Sequence, residues 1–271
     1  VEREAAGLGK DWQPLVYFWR GGQRSGSLAT VLGSLGWRVH VLEGGYRAFR
    51  RAVLAELESL PPALSFRTVC GPTGSGKSRL LRALAAAGAQ VLDLEALAHH
   101  RGSVLGSEPS TPQPSQKAFD TALWHALRRL DRARPVWVES ESRKIGDVRL
   151  GDALLAAIRA APCVWLEVPL EARVAGLLRD YAHLVDDTPR FVERLEALVP
   201  LRGRELVTSW QTMAREGRHA EVVRALLHTH YDPIYRRSLE RNFGAAERKT
   251  VDWDGDDSTL RATMRRVCES P

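Results

Sequence analysis

Apolar positions along the chain alternate between short dense runs and helix-like stripes. The first such run is Pro14-Leu-Val-Tyr-Phe-Trp19, followed by a loop of glycine and arginine. Apolar periodicity over residues 25–36 then predicts a helix, and a second run over residues 37–42 predicts another strand. Glu43-Gly-Gly-Tyr46 leads into a helix that carries Arg47, Arg50 and Arg51. A strand-helix-strand-helix unit of this length is too short to close an α/β domain by itself. Leu60-Pro-Pro then breaks the chain, because proline lacks the amide hydrogen and clashes with the preceding turn.

Beyond that break the pattern is regular. Strands are predicted at residues 66–70, 91–95, 136–139 and 164–168, and helices at 77–87, 116–131 and 150–160, with an aperiodic polar stretch at 99–116. Strands that alternate with helices imply a parallel sheet covered on both faces. From residue 170 the pattern is helical to about residue 243, and a last strand near residues 250–253 precedes a terminal helix. The expected fold is α/β throughout. A partial α/β unit occupies residues 1–60, a P-loop α/β domain residues 61–170, and a helical C-terminal region, residues 171–271, completes that domain.

Composition narrows this picture only a little. With 271 residues, 44% of them hydrophobic, the chain can bury a full core. Its apolar runs fall far short of the ~20 residues a membrane helix needs, and no basic-then-apolar leader opens it, so a cytoplasmic protein without a membrane partner is expected. The net charge of +6 comes from 39 basic and 33 acidic residues, and the only lysines are Lys10, Lys77, Lys117, Lys144 and Lys249. Arginine suits forked contacts to phosphate, although a GC-rich genome produces the same bias, so an RNA partner is permitted rather than required. Cys70, Cys163 and Cys268 are too widely spaced for a disulfide framework or a metal site.

The strongest chemical signal is Gly71-Pro-Thr73-Gly74-Ser75-Gly76-Lys77-Ser78, set between an apolar strand and a helix. Its glycines let backbone N–H groups wrap a phosphate, Lys77 supplies a point charge, and the Ser78 hydroxyl can ligate Mg²⁺. Such a loop needs a carboxylate at the end of a neighbouring strand. Glu139 and Glu141 fit, on one side if the chain stays extended, and Asp93 and Glu95 compete for the role. Arg143 follows closely and is grouped with Glu139 and Glu141 as a candidate catalytic residue. Arg20-Gly21-Gly22-Gln-Arg24-Ser25 is a second anion-binding candidate at a helix start. His228-Thr-His230-Tyr231-Asp-Pro-Ile-Tyr-Arg236-Arg237 interleaves aromatic and basic residues, as RNA-contacting surfaces do. Packing explains the same residues, and a metal at His228 and His230 would lack a third ligand.

Taken in order, these stretches resemble the tRNA 2-selenouridine synthase family, in which a rhodanese-like domain is fused to a P-loop domain. Phe18-Trp-Arg-Gly-Gly-Gln-Arg-Ser-Gly-Ser27 and Leu42-Glu-Gly-Gly-Tyr46 look like the second half of the rhodanese-like part. Residues 71–78, Asp93-Leu-Glu95 with His100-Arg-Gly-Ser103, Gln113-Pro-Ser-Gln-Lys117, Val138-Glu-Ser-Glu-Ser-Arg-Lys-Ile-Gly146 and His230-Tyr-Asp-Pro233 look like the remainder. The resemblance implies conversion of 2-thiouridine to 2-selenouridine at the tRNA wobble position through an S-geranylated intermediate. Its donors are geranyl diphosphate and selenophosphate, and no tightly bound cofactor is implied beyond Mg²⁺. It places His100, Arg101, Gln116, Lys117, His230 and Tyr231 against RNA or substrate, and the aromatic and basic run adds Arg236 and Arg237. A complete rhodanese-like domain would need residues before Val1, and Phe18 stands where its cysteine is expected, which puts selenium transfer by this chain in doubt. A small-molecule kinase, using Arg173 and Arg179, and a non-catalytic tRNA-binding protein are the alternative readings.

Overall fold

A computed structural model describes residues 9, 11–103, 106, 111–244 and 246–269, so part of the polar stretch at 99–116 lies outside the described residues. The chain forms two compact units, Val1–Glu56 and Leu57–Pro271.

In the first unit, β1 (Leu15–Val16) precedes α1 (Gln23–Ser34), β2 (His40–Val41) and α2 (Gly45–Ser59), whose end passes into the second unit. The two strands pair in parallel, with Leu15 opposite His40. Both are shorter than their apolar runs, because a two-stranded ladder gives little support to flanking residues. Leu15, Tyr17, Phe18, Trp19 and Val41 are accordingly exposed, while Val16, Leu32 and Val53 are buried.

The second unit opens with β3 (Phe66–Cys70), α3 (Lys77–Ala86), β4 (Gln90–Leu92), α4 (Leu94–Ala98), α5 (Gln116–Arg128) and β5 (Val136–Glu139). A small antiparallel hairpin, β6 (Lys144–Ile145) and β7 (Val148–Arg149), comes next, then α6 (Asp152–Ala160) and β8 (Cys163–Glu167). The helical region comprises α7 (Leu170–Asp180), α8 (Ala182–Val185), α9 (Thr188–Glu196), α10 (Val199–Arg202), α11 (Arg204–Arg215) and α12 (His219–Leu226). A π-helical turn, Leu227–Tyr231, leads into α13 (Asp232–Phe243), and β9 (Arg248–Asp252) and α14 (Leu260–Cys268) close the chain.

The main sheet runs β4-β5-β3-β8-β9, every neighbouring pair parallel. Alternate residues of each central strand serve opposite faces, as the two-residue period of a strand requires. Phe66, Cys70, Val136, Val138, Cys163 and Trp165 enter one core with α5 and α6, whereas Val69, Trp137, Val164 and Leu166 join Leu80, Leu81, Leu84 and Val267 on the other. A third apolar cluster, built on Phe191, Leu195, Val207 and Trp210, holds the helical region together. The central strand β3 therefore delivers the chain, at its carboxyl end, to the crevice where open α/β sheets hold ligands.

Two expectations are corrected. The strand expected at residues 91–95 stops at Leu92, because the Asp93 carboxylate accepts the Ala96 N–H at 2.8 Å and caps α4. Glu141 does not continue β5 in extended form, since its N–H returns to the Glu139 carbonyl at 2.9 Å. Phe119, with no exposed surface, anchors α5 in the first core. Its replacement by alanine is expected to cost about 3–5 kcal/mol in denaturant unfolding, and a loss under about 1 kcal/mol would show that this core is not packed as described.

Candidate functional site

Residues 71–78 turn from β3 into α3 under pressure from elements far along the chain. Gly74 has φ 79°, and a Cβ there would lie 2.9 Å from the Leu177 side chain on α7. Gly76 has φ 80°, and its Cβ would lie 2.4 Å from the Trp253 ring that follows β9. Only glycine meets both demands. Trp253 is held in turn by hydrogen bonds from its ring N–H to the Asp256 carbonyl and Thr259 hydroxyl, and the Arg79 guanidinium stacks on it at 4.7 Å.

The loop borders a cavity of about 750 Å³ between the carboxyl ends of the strands and the helical region. Lys77 Nζ donates to the Gly71 carbonyl at 2.9 Å and sits 4.9 Å from the centre of the Tyr235 ring. The Tyr235 hydroxyl meets Ser140 Oγ at 2.9 Å. Burial disfavours the Lys77 charge, but Tyr235, Glu95 and Glu141 more than offset this and hold its pKa above the ordinary value. Ser78 Oγ donates to Glu95 Oε2 at 2.7 Å.

The carboxylates divide into two kinds. Glu139 is buried, and its Oε1 accepts the N–H groups of Leu94 and Glu95, both at 3.0 Å, while Oε2 has no partner. Burial, reinforced by Glu95 and Glu141, pushes its pKa well up, and its two hydrogen bonds fasten the start of α4 while the side chain stays out of the cavity lining. Glu95 and Glu141 line the cavity. Burial and the neighbouring Glu95 push Glu141 from 4.5 up to about 7, with Lys77 acting in the opposite direction. Among the described residues no three His, Cys, Asp or Glu side chains converge as metal ligands. Ser78 and Glu95 nevertheless suit Mg²⁺, which usually takes one or two protein oxygens and completes its shell with substrate phosphates and water.

His100, Arg101, His230 and Tyr231 also line this cavity. Arg101 reaches the Asp180 carbonyl at 2.7 Å and stacks on Tyr181. His230 Nδ1 accepts the Arg202 Nε–H at 2.8 Å, and burial and that cation together lower its pKa. Other predicted site residues lie elsewhere. Arg143 is exposed and paired with Asp152, away from the cavity lining. Gln116 bridges Asp120 and both backbone groups of Arg149, which makes it a fastener of the β6–β7 hairpin. Lys117, Arg236 and Arg237 are exposed on their helices and do not line the cavity.

In the first unit, the Arg20 to Arg24 loop folds tightly over Gly45, whose Cβ would fall 2.1 Å from the Phe18 carbonyl. That carbonyl accepts the Tyr46 N–H at 2.8 Å, and the Trp19 carbonyl accepts the Arg47 N–H at 3.0 Å. Arg20 and Arg24 are exposed, Gly21 and Gly22 have positive φ, and no side chain caps α1 at Gly22.

The sequence pattern leaves one choice open and does not show two features. Of the competing acids Asp93 and Glu95, Glu95 is the partner of Ser78. Tyr235, inside the aromatic and basic run at residues 228–237, stands over Lys77. Beside Thr73 an apolar recess opens, lined by Leu177, Leu184, Phe191, Val223, Leu226 and Leu227 among others, and it shares Thr73, Ser103, Leu177, Tyr181 and Tyr231 with the large cavity. Its residues come from four helices, the π-helical turn and the segments at Thr73, Ser103 and Tyr181, so no single stretch of sequence marks it.

A family model described as the tRNA 2-selenouridine synthase AAA domain matches residues 64–197. The tRNA 2-selenouridine synthase of Alcanivorax borkumensis is 33% identical over 84% of this chain and 70% of its own length. That of Bdellovibrio bacteriovorus is 31% identical with the same coverage. That of Hahella chejuensis is 33% identical over 92% of this chain and 70% of its own. Among solved structures, a tRNA isopentenylpyrophosphate transferase from Bacillus halodurans overlies 75% of this chain and 95% of its own at 10% identity and TM-score 0.34, too distant a likeness to carry an argument.

The raised pKa of Glu141 makes a signed prediction. Between 4.5 and about 7 the folded chain holds a proton that the unfolded chain releases, so this contribution to stability is present at the acid end and is lost as pH rises through about 7. In urea titrations across that range, wild type should lose stability relative to Glu141→Gln as pH increases. Parallel profiles would show that Glu141 titrates normally.

Proposed function

The chain belongs to the tRNA 2-selenouridine synthase family, and from that premise we propose that it modifies the wobble uridine of tRNA, exchanging the sulfur of 2-thiouridine for selenium through an S-geranylated intermediate. Geranyl diphosphate and selenophosphate are the donors in this reading. The observation that carries it is the shared wall between the polar P-loop cavity and the apolar recess, in which Thr73, Leu177 and Tyr231 belong to both. A ligand with a diphosphate at one end and a hydrocarbon chain at the other suits that junction. The recess measures about 50 Å³, room for only the first part of a ten-carbon chain, and each CH₂ buried there would contribute ~0.8 kcal/mol.

In this proposal the loop amides and Lys77 carry the charge of the departing diphosphate, and Ser78 and Glu95 would hold a Mg²⁺ ion that would supply further positive charge there. The thiouridine sulfur attacks the first carbon of the prenyl chain, an S–C bond forms, the C–O bond to diphosphate breaks, and the uridine N3 proton leaves. Glu141, half-buried in the cavity with its pKa raised to about 7, is suited to take that proton. His100, Arg101, His230 and Tyr231 would meet the nucleotide, with Lys117, Arg236 and Arg237 contacting the tRNA backbone and the Arg20–Arg24 loop serving selenophosphate.

Selenium transfer is the weaker half of the proposal. Phe18 offers no thiolate, and the hydrogen bond with Cys163 together with burial pushes the Cys70 thiol up, so it is a poor nucleophile. Geranyl transfer is therefore the step that this chain's own residues support.

Incubation with 2-thiouridine tRNA and geranyl diphosphate is expected to yield S-geranylated nucleoside by mass spectrometry, and Lys77→Ala should lower the rate by about 10²–10³-fold. Phosphorylation of a small acceptor by ATP, with no prenylated tRNA, would favour a kinase instead. Val223→Phe, which fills the apolar recess, should raise KM for geranyl diphosphate about tenfold while sparing the shorter dimethylallyl diphosphate. Equal effects on both donors would place the prenyl chain elsewhere.

A further inference from the structure

One buried ion pair ties the P-loop to the helical region. Arg173, on α7 and 6% exposed, donates from Nη1 and Nη2 to the two carboxylate oxygens of Asp232 at 3.1 and 2.5 Å. Its Nε–H donates to the Thr73 carbonyl at 2.8 Å. Asp232 is the first residue of α13, and Tyr235, one helical turn later, stands over Lys77. α13 therefore reaches the P-loop twice, at Asp232 through Arg173 and at Tyr235 directly over Lys77.

The consequence follows from the planar peptide. A carbonyl and the N–H of the next residue point in opposite directions across the peptide plane, so a Thr73 carbonyl fixed on Arg173 aims the Gly74 N–H the other way. Thr73 and Gly74 both border the large cavity, and an N–H held in that direction is a donor prepared for an anion. A guanidinium is suited to this because its three nitrogens lie in one rigid plane. With Asp232 occupying one edge, Nε has no freedom to leave Thr73.

We propose that Arg173 and Asp232 are positioning residues for phosphate binding, which act by setting the Thr73–Gly74 peptide without touching the ligand. The inference rests on the reading of residues 71–78 as a phosphate site. It goes beyond that reading by making phosphate affinity depend on α13, the helix that also carries Tyr235, Arg236 and Arg237.

The test uses the whole chain, inorganic pyrophosphate as probe, and Arg173→Lys, Asp232→Asn and the double variant, with calorimetric affinities, unfolding midpoints and tRNA affinity measured in parallel. Each single variant is expected to weaken pyrophosphate binding about tenfold, the scale of one charge-assisted hydrogen bond, with tRNA affinity within about twofold of wild type. The double variant should be no worse than the weaker single one, because both residues act through one peptide. Folded variants that keep wild-type pyrophosphate affinity, or that lose pyrophosphate and tRNA affinity together, would overturn the inference. Failure of the near-isosteric Asp232→Asn chain to fold would also overturn it, by assigning the pair to folding alone. Wild-type protein that bound no pyrophosphate would instead overturn the phosphate-site reading, and this inference with it.

Discussion

Close approach to the loop at residues 71–78 is the constraint on which the rest of the second unit depends. Leu177 of α7 presses on Gly74 and Trp253 presses on Gly76, leaving no room for a side chain at either position. These partners lie about a hundred or more residues beyond the loop, so its shape is completed only when the helical region and β9 have docked on the sheet. The helical region is therefore the second wall of the site as well as an appendage to it, and the cavity exists because that wall stands off the strand ends on the polar side while packing tightly around the loop.

Inside the cavity, charge is arranged around Lys77. Desolvation alone would favour a neutral amine, and the nearby Glu95 and Glu141 restore the cation. The carboxylates experience the reverse problem, since burial and neighbouring acids raise the pKa of Glu95, Glu139 and Glu141. The structure divides their work. Glu139 faces inward and fastens α4, Glu95 binds the Ser78 hydroxyl, and Glu141 stays in the cavity with its pKa near neutrality. In the proposed function this division would let one site both accept a proton and hold a polyanion, which a uniform acidic cluster could not do.

Much of the fold was legible because its signals are local. Strand runs such as residues 66–70 and 136–139 are bounded by turn residues, and the P-loop glycines are recognisable from spacing alone. Strand ends were harder to read: Asp93 looked like part of a strand because Val91 and Leu92 precede it, yet its side chain competes for the backbone and starts a helix. Glu139 was marked as a cavity acid because strand-end carboxylates often are, and only the position of the α4 amides reveals its structural role. Gln116 and Arg143 were drawn in by neighbouring motifs, whereas their partners, Arg149 and Asp152, belong to a hairpin and a helix start that carry no periodic signal. The apolar recess and the Arg173–Asp232 pair depend on residues brought together from separate helices, which periodicity cannot show.

The central claim is that phosphate-binding and apolar surfaces form one site for a single amphipathic donor. Calorimetry of the whole chain with geranyl diphosphate, inorganic pyrophosphate and ATP across temperature tests it most directly. The account predicts that geranyl diphosphate binds more tightly than pyrophosphate, with a more negative heat-capacity change that reports the buried hydrocarbon. Equal affinities and heat-capacity changes for geranyl diphosphate and pyrophosphate, with ATP bound most tightly, would contradict it.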